Sequence, residues 1–177
     1  MRGGKSNGRA SRAATAVDLE TRLTDGHHQA LKLWLRLLSC TNLVEAQVRN
    51  RLRAAFGITL ARFDLMAQLE RNPAGLRMNE LSRRLMVSGA NVTGLTDQLE
   101  KEGLVARADA PADRRAYTVK LTAAGRALFA RMAAAHERWV IELFSGLSAN
   151  DKAQTHRLLA KLKVHVASLT RGTEEGG

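Results

Sequence analysis

Two groups of side chains near the middle of the chain have the chemistry needed to read a nucleic acid. The first lies on a helix predicted over Ala90 to Glu102, because Ser88 suits its N-cap and Gly103 suits its end. One face of this helix is apolar at helical spacing and is predicted to be buried. That face comprises Val92, Leu95 and Leu99. The opposite face is short and polar and comprises Ala90, Asn91, Thr93, Gly94, Asp97, Gln98 and Lys101.

The outward face suits close contact with base edges in the major groove of DNA. Asn91 and Gln98 can each pair bidentately with adenine, and the methyl groups of Ala90 and Thr93 can contact thymine methyls. Gly94 costs the helix about 0.5–1 kcal/mol relative to alanine, which is tolerated where another backbone must approach closely. The alternative is an ordinary surface helix with an incidental glycine, and the helix alone does not decide between the two.

The second group lies in a predicted β-hairpin that follows the helix. Residues 104–109 and 117–121 are strand-like runs, and residues 110–116 form a turn-rich loop between them. The loop presents Arg114 and Arg115, and Asp113 is placed to hold one guanidinium while the other reaches out. Residues 78–89 supply a preceding helix and turn, with Met78, Leu81, Leu85 and Met86 as its apolar side chains. A helix-turn-helix followed by a basic wing places a helix in the major groove and arginine in the minor groove or on phosphate.

The run from Asn91 to Arg126 resembles the winged-helix core of the MarR family, the multiple-antibiotic-resistance regulators of bacteria and archaea. The most specific part is the wing Asp113-Arg114-Arg115 followed by the helix start Leu121-Thr122-x-x-Gly125. The resemblance implies DNA binding, a triangular dimer and a small-molecule pocket. One departure is visible: the first helix of the pair usually opens with Ser or Thr, whereas Arg77-Met78 stands here and Asn79 is the alternative cap.

The composition agrees with a polyanionic partner. Against 17 Asp and Glu, the 177-residue chain has 28 Lys and Arg, which gives a net charge of +11. Aromatic residues make up only 4% of the chain, which favours helices over a β-sandwich. The single cysteine, Cys40, excludes an intrachain disulfide framework, and no apolar run is long enough for a membrane span. We therefore expect a soluble cytoplasmic protein.

Long helices are predicted on both sides of the winged core. One runs over residues 27–56, a shorter one follows Thr59, and two more follow Thr122 and Ser148. Their apolar surface exceeds what a small core can cover, which favours a twofold dimer, with recognition helices roughly 34 Å apart, over a monomer.

The predicted fold class is therefore mainly α with a small β wing, a winged helix-turn-helix core flanked by dimerisation helices. The predicted organisation is a disordered basic arm (1–20), an N-terminal dimerisation helix (21–57), the winged helix-turn-helix lobe (58–126), C-terminal dimerisation helices (127–170) and a frayed tail (171–177).

A small-molecule site is expected where the resemblance places the pocket, between the first long helix, the second helix and the helix after the wing. Amphipathic rings near a cation suit an aromatic acid, with ring against ring and carboxylate against cation. Core packing is the alternative for each residue. The candidates are Trp34, Leu38, Phe63, Met66, Met132, His136 and Trp139, with His28 or Arg62 as the cation.

Enzyme chemistry has no support in the sequence. No nucleophile elbow, P-loop, dinucleotide fingerprint or paired zinc motif appears, so neither catalysis nor a cofactor is expected. Cys40 is predicted to be an inert packed thiol, and peroxide sensing at Cys40 or metal binding at His27 and His28 are minor alternatives.

The sequence thus predicts a homodimeric transcription regulator that binds double-stranded DNA. Its predicted DNA contacts are Ser88, Ala90, Asn91, Thr93, Gly94, Asp97, Gln98, Arg114 and Arg115. Its predicted role is a repressor on a palindromic operator, released by a small aromatic acid or its thioester. The alternatives are a redox- or metal-responsive regulator of the same fold and a constitutive architectural DNA-binding protein without a ligand.

Overall fold

The computed structural model describes residues 28–110 and 113–172, with the backbone alone at 109, 110, 113–116 and 170–172. The predicted arm (1–20), His27 and residues 173–177 of the predicted tail lie outside the described residues. The elements in chain order are α1 (Gln29–Phe56), α2 (Leu60–Glu70), α3 (Met78–Leu85), α4 (Gly89–Lys101), β1 (Val105–Ala110), β2 (Asp113–Leu121), α5 (Ala123–Leu143) and α6 (Ala149–Gly172). The predicted fold class, mainly α with a small β wing, is confirmed.

The contacts divide the chain within α1 into two units, Met1–Ala46 and Gln47–Gly177. The described part of the first unit, residues 28–46, forms the first turns of α1. Trp34 is 57% exposed there, and Leu38 is exposed as well. Cys40 is also exposed, so the prediction of a packed thiol is wrong for the single chain.

The core of the second unit is built around α2. Thr59 caps this helix, because its hydroxyl oxygen accepts the backbone N–H of Arg62 at 3.4 Å. Leu65, Met66 and Leu69 project from it into the interior and are fully buried. Other elements contribute further fully buried side chains to the core, namely Leu52, Leu81, Val92, Leu99, Val119 and Met132. The helix-turn-helix is therefore mounted on α2.

The structure decides the start of α3, which the sequence left open, and the end of the helix differs from the sequence prediction. Arg77 is the N-cap residue, and the Glu80 carboxylate accepts its backbone N–H at 2.8 Å, so Asn79 is not the cap. Met86 ends the helix in the left-handed conformation, with φ 55°. This conformation turns the chain out of the helix, and the Met86 side chain is 93% exposed rather than part of the apolar face.

The wing is an antiparallel pair of strands in which Val105 pairs with Leu121 and Asp109 with Tyr117. The pairing then shifts so that Ala110 faces Asp113. The second strand therefore begins at residue 113 rather than 117, and the first strand extends to residue 110, so the strands take up residues 110 and 113–116 of the predicted loop. Leu76 adds a third short segment, because its backbone exchanges two hydrogen bonds with Val119, at 3.1 and 2.9 Å.

The last helix, α6, begins with a reciprocal cap. The Asp151 carboxylate accepts the backbone N–H of Ser148 at 3.0 Å, and the Ser148 hydroxyl oxygen accepts that of Asp151 at 3.2 Å. The Ser148 hydroxyl also donates to the Asp151 carboxylate at 2.6 Å, and this bond, together with the one from the backbone N–H of Ser148, holds the pKa of Asp151 below its ordinary value. From Ala149 to Leu169, every side chain of α6 is exposed except the half-buried Ala167.

Candidate nucleic-acid interface

The helix α4 is set into the core along one face. Val92, Thr96 and Leu99 are fully buried there. Leu95, which was predicted to be the third inward side chain, is half-buried. Thr96 takes that place because it lies four residues after Val92 and three before Leu99, on the same side of the helix. Its hydroxyl lies 3.8 Å from the Sδ atom of Met78, a weak acceptor for a buried polar group.

The opposite face of α4 is open. Its exposed residues are Ala90, Asn91, Thr93, Gly94, Asp97, Gln98 and Lys101. A Cβ atom added at Gly94 would meet nothing within 4 Å, so a large partner can approach the backbone there. Ser88 caps the helix by accepting the backbone N–H of Asn91 at 3.4 Å. The Thr93 hydroxyl donates to the carbonyl of Gly89 at 3.0 Å, and this bond occupies its proton within the helix.

Asp97 does not point freely outward, because Arg107 of β1 holds it. The two terminal nitrogens of the Arg107 guanidinium form ion pairs with Asp97 and with Glu100, and the guanidinium carbon lies 5.3 Å from the ring centroid of Tyr117. The hydrogen bond to Asp97 raises the pKa of Arg107 above its ordinary value. This clamp fixes the wing to α4 and neutralises two carboxylates beside the open face. Sequence reasoning missed Arg107, because the spacing of the two residues does not show that the wing brings Arg107 against Asp97.

The wing residues predicted to reach DNA lie on the second strand. Asp113, Arg114 and Arg115 open β2, and the structure describes their backbone but not their side chains. The strand places both arginines at the end of the hairpin that lies away from the core. Their roles on DNA, and the holding role of Asp113, stay predictions.

The joint between α4, the wing and α5 explains the Leu-Thr-x-x-Gly pattern. The Thr122 hydroxyl accepts the backbone N–H of Gly125 at 3.0 Å and caps α5. The same hydroxyl donates to the carbonyl of Gly103 at 2.7 Å, just after the end of α4. Gly125 packs so closely that a Cβ atom would lie 1.9 Å from the carbonyl oxygen of Leu104. The start of α5 is therefore locked to the end of α4, which is the predicted recognition helix, the one expected to enter the major groove.

The predicted effector residues are only partly brought together. Phe63 and His136 contact each other, with ring centroids 5.2 Å apart, and Phe63 also stacks on Phe129 at 5.5 Å. Met66 and Met132 are fully buried core side chains. Trp139 lies against Phe56 with centroids 6.3 Å apart, and Arg62 forms an ion pair with Glu102. His28, Trp34 and Leu38 belong to the first unit.

Phe63 and His136 border a cleft of about 420 Å³ between α2, α3 and α5. Its aromatic wall is Phe63, Phe129 and His136, and its cations are Arg71 and Arg84. Within residues 28–110 and 113–172, no three His, Cys, Asp or Glu side chains come together as metal ligands would. None of the helices in these ranges has the length and apolarity that crossing a bilayer requires.

A capped helix with an open polar face, locked to a two-stranded wing, defines a winged helix-turn-helix DNA-binding protein. The sequence profile of the MarR family matches residues 56–116. The transcriptional activatory protein BadR of Rhodopseudomonas palustris is 31% identical over 146 residues, which cover 81% of this chain and 83% of BadR. The crystal structure of a MarR family transcriptional regulator from Silicibacter pomeroyi is 35% identical, with a TM-score of 0.69, and the match covers 81% of this chain and 99% of that one. The chain belongs to the MarR family and is a DNA-binding transcriptional regulator, not an enzyme.

One structural relative was solved with DNA. Sco3205, a MarR family regulator from Streptomyces coelicolor in complex with DNA, has a TM-score of 0.67 at 23% identity, and the match covers 80% of this chain and 89% of Sco3205. At this identity the likeness bears on the fold alone. Sco3205 shows that a member of the family with this fold binds a DNA duplex.

Proposed function

We propose that the protein is a homodimer that represses transcription from an inverted-repeat operator and leaves DNA when an aromatic acid or its thioester binds. The observation that carries the dimer is an apolar stripe on α6. Its members recur every three or four residues and remain 40–59% exposed: Leu158, Leu162, Val166 and Leu169. A helix normally covers such a stripe, and a twofold contact with a second copy is the commonest way to do so.

Sedimentation equilibrium at micromolar concentration tests the dimer. The wild type is expected to have the mass of two chains, and Leu162→Glu that of one, because a carboxylate would be buried in the apolar contact. Ala160→Glu is the matched control, since it adds the same single negative charge at an exposed neutral residue on the opposite face of α6, and it should stay dimeric. A monomeric wild type, or a dimeric Leu162→Glu, would contradict the proposal.

The proposed operator follows from twofold symmetry. Two copies of α4 related by a dyad would read inverted half-sites about one helical turn apart, roughly 34 Å. The net charge of +11 supports strong phosphate attraction, so the affinity should fall steeply with salt as counterions are released. Selection of bound fragments from a random duplex library tests both points. Selected sites without dyad symmetry, or an affinity flat in salt, would count against it.

The proposed effector site is the cleft between α2, α3 and α5. Three aromatic rings and the guanidinium groups of Arg71 and Arg84 suit a planar ring that carries a carboxylate. These cations take the role that the sequence gave to His28 or Arg62. Because α3 leads through the turn at Met86 into α4, a ligand bound against α3 would change the orientation of α4.

Titration of the protein–DNA complex tests the effector. Hydroxylated benzoates, cinnamates, nicotinates and their thioesters would be added while DNA release and tryptophan fluorescence are followed. Only a ligand that prefers the DNA-free form shifts the equilibrium. Release should be lost in Arg84→Gln and His136→Leu, with DNA affinity in the absence of ligand as the control. If no aromatic acid acts while peroxide or zinc releases DNA, the sensing residues are Cys40 or the histidines instead.

Activation of transcription is the alternative to the proposed repression. The R. palustris relative is named a transcriptional activatory protein, so activation is the second candidate. In vitro transcription from a promoter with the selected operator decides between them. Repression predicts fewer transcripts with the protein present and recovery with the effector, whereas activation predicts more transcripts.

A further inference from the structure

A shallow groove of about 350 Å³ runs beside the recognition helix, between α4 and the first turn of α2. Ala61 forms its wall on the α2 side. Three apolar side chains, Val87, Ala90 and Leu95, form the other side, and Gly94 leaves that side open to an approaching partner. The amides of Asn91 and Gln98 complete the lining. The groove thus combines apolar walls with two side chains that can both donate and accept hydrogen bonds.

The side chains on the opposite flank of α4 are already engaged, mainly by contacts with the wing. Arg107 holds Asp97 and Glu100 there, and the Thr93 hydroxyl is bonded within the helix. By contrast, in the part of the chain that the structure describes, no hydrogen bond engages the side-chain amide of Asn91 or Gln98. The flank beside α2 is therefore the one with free base-reading groups.

The chemistry of this flank matches an A·T pair better than a G·C pair. In the major groove, adenine offers N7 and N6 to an Asn or Gln amide, and thymine presents a C5-methyl group. Cytosine has no methyl to fill an apolar groove, and guanine offers two acceptors that favour Arg or Lys. The described groove contains neither Arg nor Lys among its lining residues.

The spacing of the amides sets where these pairs lie. Asn91 and Gln98 are seven residues apart on one helix, which is about 10.5 Å along its axis at 1.5 Å per residue. This length is roughly three base steps at about 3.4 Å each. The two amides therefore read different base pairs, and the apolar part of the groove lies between them.

We propose that this groove receives thymine C5-methyl groups, so that the protein selects A·T pairs within a three-step window of each half-site. The inference rests on the proposed function, because it assumes that α4 reads the inverted-repeat operator. It adds Ala61, Val87 and Leu95 as specificity-determining residues, and one of these lies outside the helix-turn-helix pair.

Replacement of thymine by uracil tests the inference directly, since the change removes only the methyl group. An operator duplex from the random-library selection would be synthesised with deoxyuridine at one position at a time, and its affinity measured at fixed salt. At one or two positions per half-site, the uracil duplex should bind the protein about fourfold more weakly than the thymine duplex, which corresponds to about 0.8 kcal/mol per buried methyl-sized group. The remaining positions should be unaffected.

Two substitutions at Ala61 show whether the groove is responsible. Ala61→Leu would fill the groove from the α2 side without touching the reading face of α4, and the thymine and uracil duplexes should then bind alike. Ala61→Ser keeps the side chain small and should retain the difference. Thermal unfolding of both variants shows that each is folded.

The outcomes separate the inference from the proposed function. Two results would overturn the assignment of the groove and leave the operator proposal standing. One is dyad-specific binding with no uracil effect at any position, and the other is a uracil effect that persists in Ala61→Leu. If Ala61→Leu changes the sedimentation mass, the groove is a contact between chains, and its assignment to thymine methyl groups is overturned as well. Absence of any sequence-selective binding overturns the operator proposal, and the inference with it.

Discussion

The joint at Gly125 gives the sharpest prediction about stability. Gly125 lies in the first turn of α5, just beyond the end of the recognition helix, and a Cβ atom would lie 1.9 Å from the Leu104 carbonyl oxygen and 2.9 Å from its carbonyl carbon. Both atoms belong to the backbone, so no side chain can rotate away to make room. The same carbonyl accepts the backbone N–H of Thr122 at 3.1 Å. Gly125→Ala must therefore move the backbone on which the cap of α5 depends.

The expected change in the free energy of unfolding of Gly125→Ala is the difference between two opposed effects. Alanine favours a helix over glycine by about 0.5–1 kcal/mol, whereas overpacking of this kind typically costs about 1–3 kcal/mol, occasionally more. Because backbone must shift by about an ångström, we expect the upper part of that range, a net loss of about 2 kcal/mol. For a chain of this size, that loss lowers Tm by about 4–8 °C.

Gly94→Ala is the matched control, because it is the same substitution at a helical glycine where a Cβ atom meets nothing. It should raise the free energy of unfolding of the free protein by about 0.5–1 kcal/mol. Both variants would be compared with the wild type by urea unfolding followed by circular dichroism. A Gly125→Ala variant as stable as Gly94→Ala would refute the close-packing account of the joint.

The remaining predictions concern DNA reading, pH and backbone strain. Asn91→Ala should weaken operator binding by about 1–3 kcal/mol at one base position, and Gly94→Leu should weaken binding to every site; band-shift titrations on single-base operator variants check both. The hydrogen bonds from Arg51, at 2.7 and 2.9 Å, hold the pKa of Glu142 below its ordinary value. The stability from this pair is therefore present above the ordinary pKa and is lost as the pH falls through the lower, folded-state value, so wild type and Glu142→Gln should differ in urea midpoint at neutral pH and converge in acid. Met86→Gly should stabilise the free protein by up to about 1 kcal/mol because it relieves a left-handed residue, while Met86→Ala should not; equal urea midpoints for the two would contradict the strain.

The parts of the fold that local chemistry dictates could be predicted from the sequence. Thr59, Ser88 and Thr122 each cap the helix that follows, because a hydroxyl that accepts a backbone N–H acts within four residues. Gly103, with φ 71°, ends the recognition helix for a similarly local reason.

The features that depend on partners distant in sequence could not be predicted. The periodicity of α4 did not reveal that Thr96 is buried, because Met78 and the core on that side come from other elements. Asp97 was predicted as a DNA contact, yet Arg107 reaches it from the wing. The sequence also suggested Arg62 as an effector cation, whereas Glu102, forty residues away, forms an ion pair with it. Ion pairs of this kind depend on tertiary geometry that spacing does not reveal.

Hydroxyl-radical footprinting on the selected operator tests the central claim most directly. A dimer that inserts two copies of α4 predicts two protected segments, related by a dyad and about one helical turn apart, with Asn91→Ala losing protection in both at the same protein concentration. A single protected segment without symmetry, or a wild-type footprint from Asn91→Ala, would contradict the account.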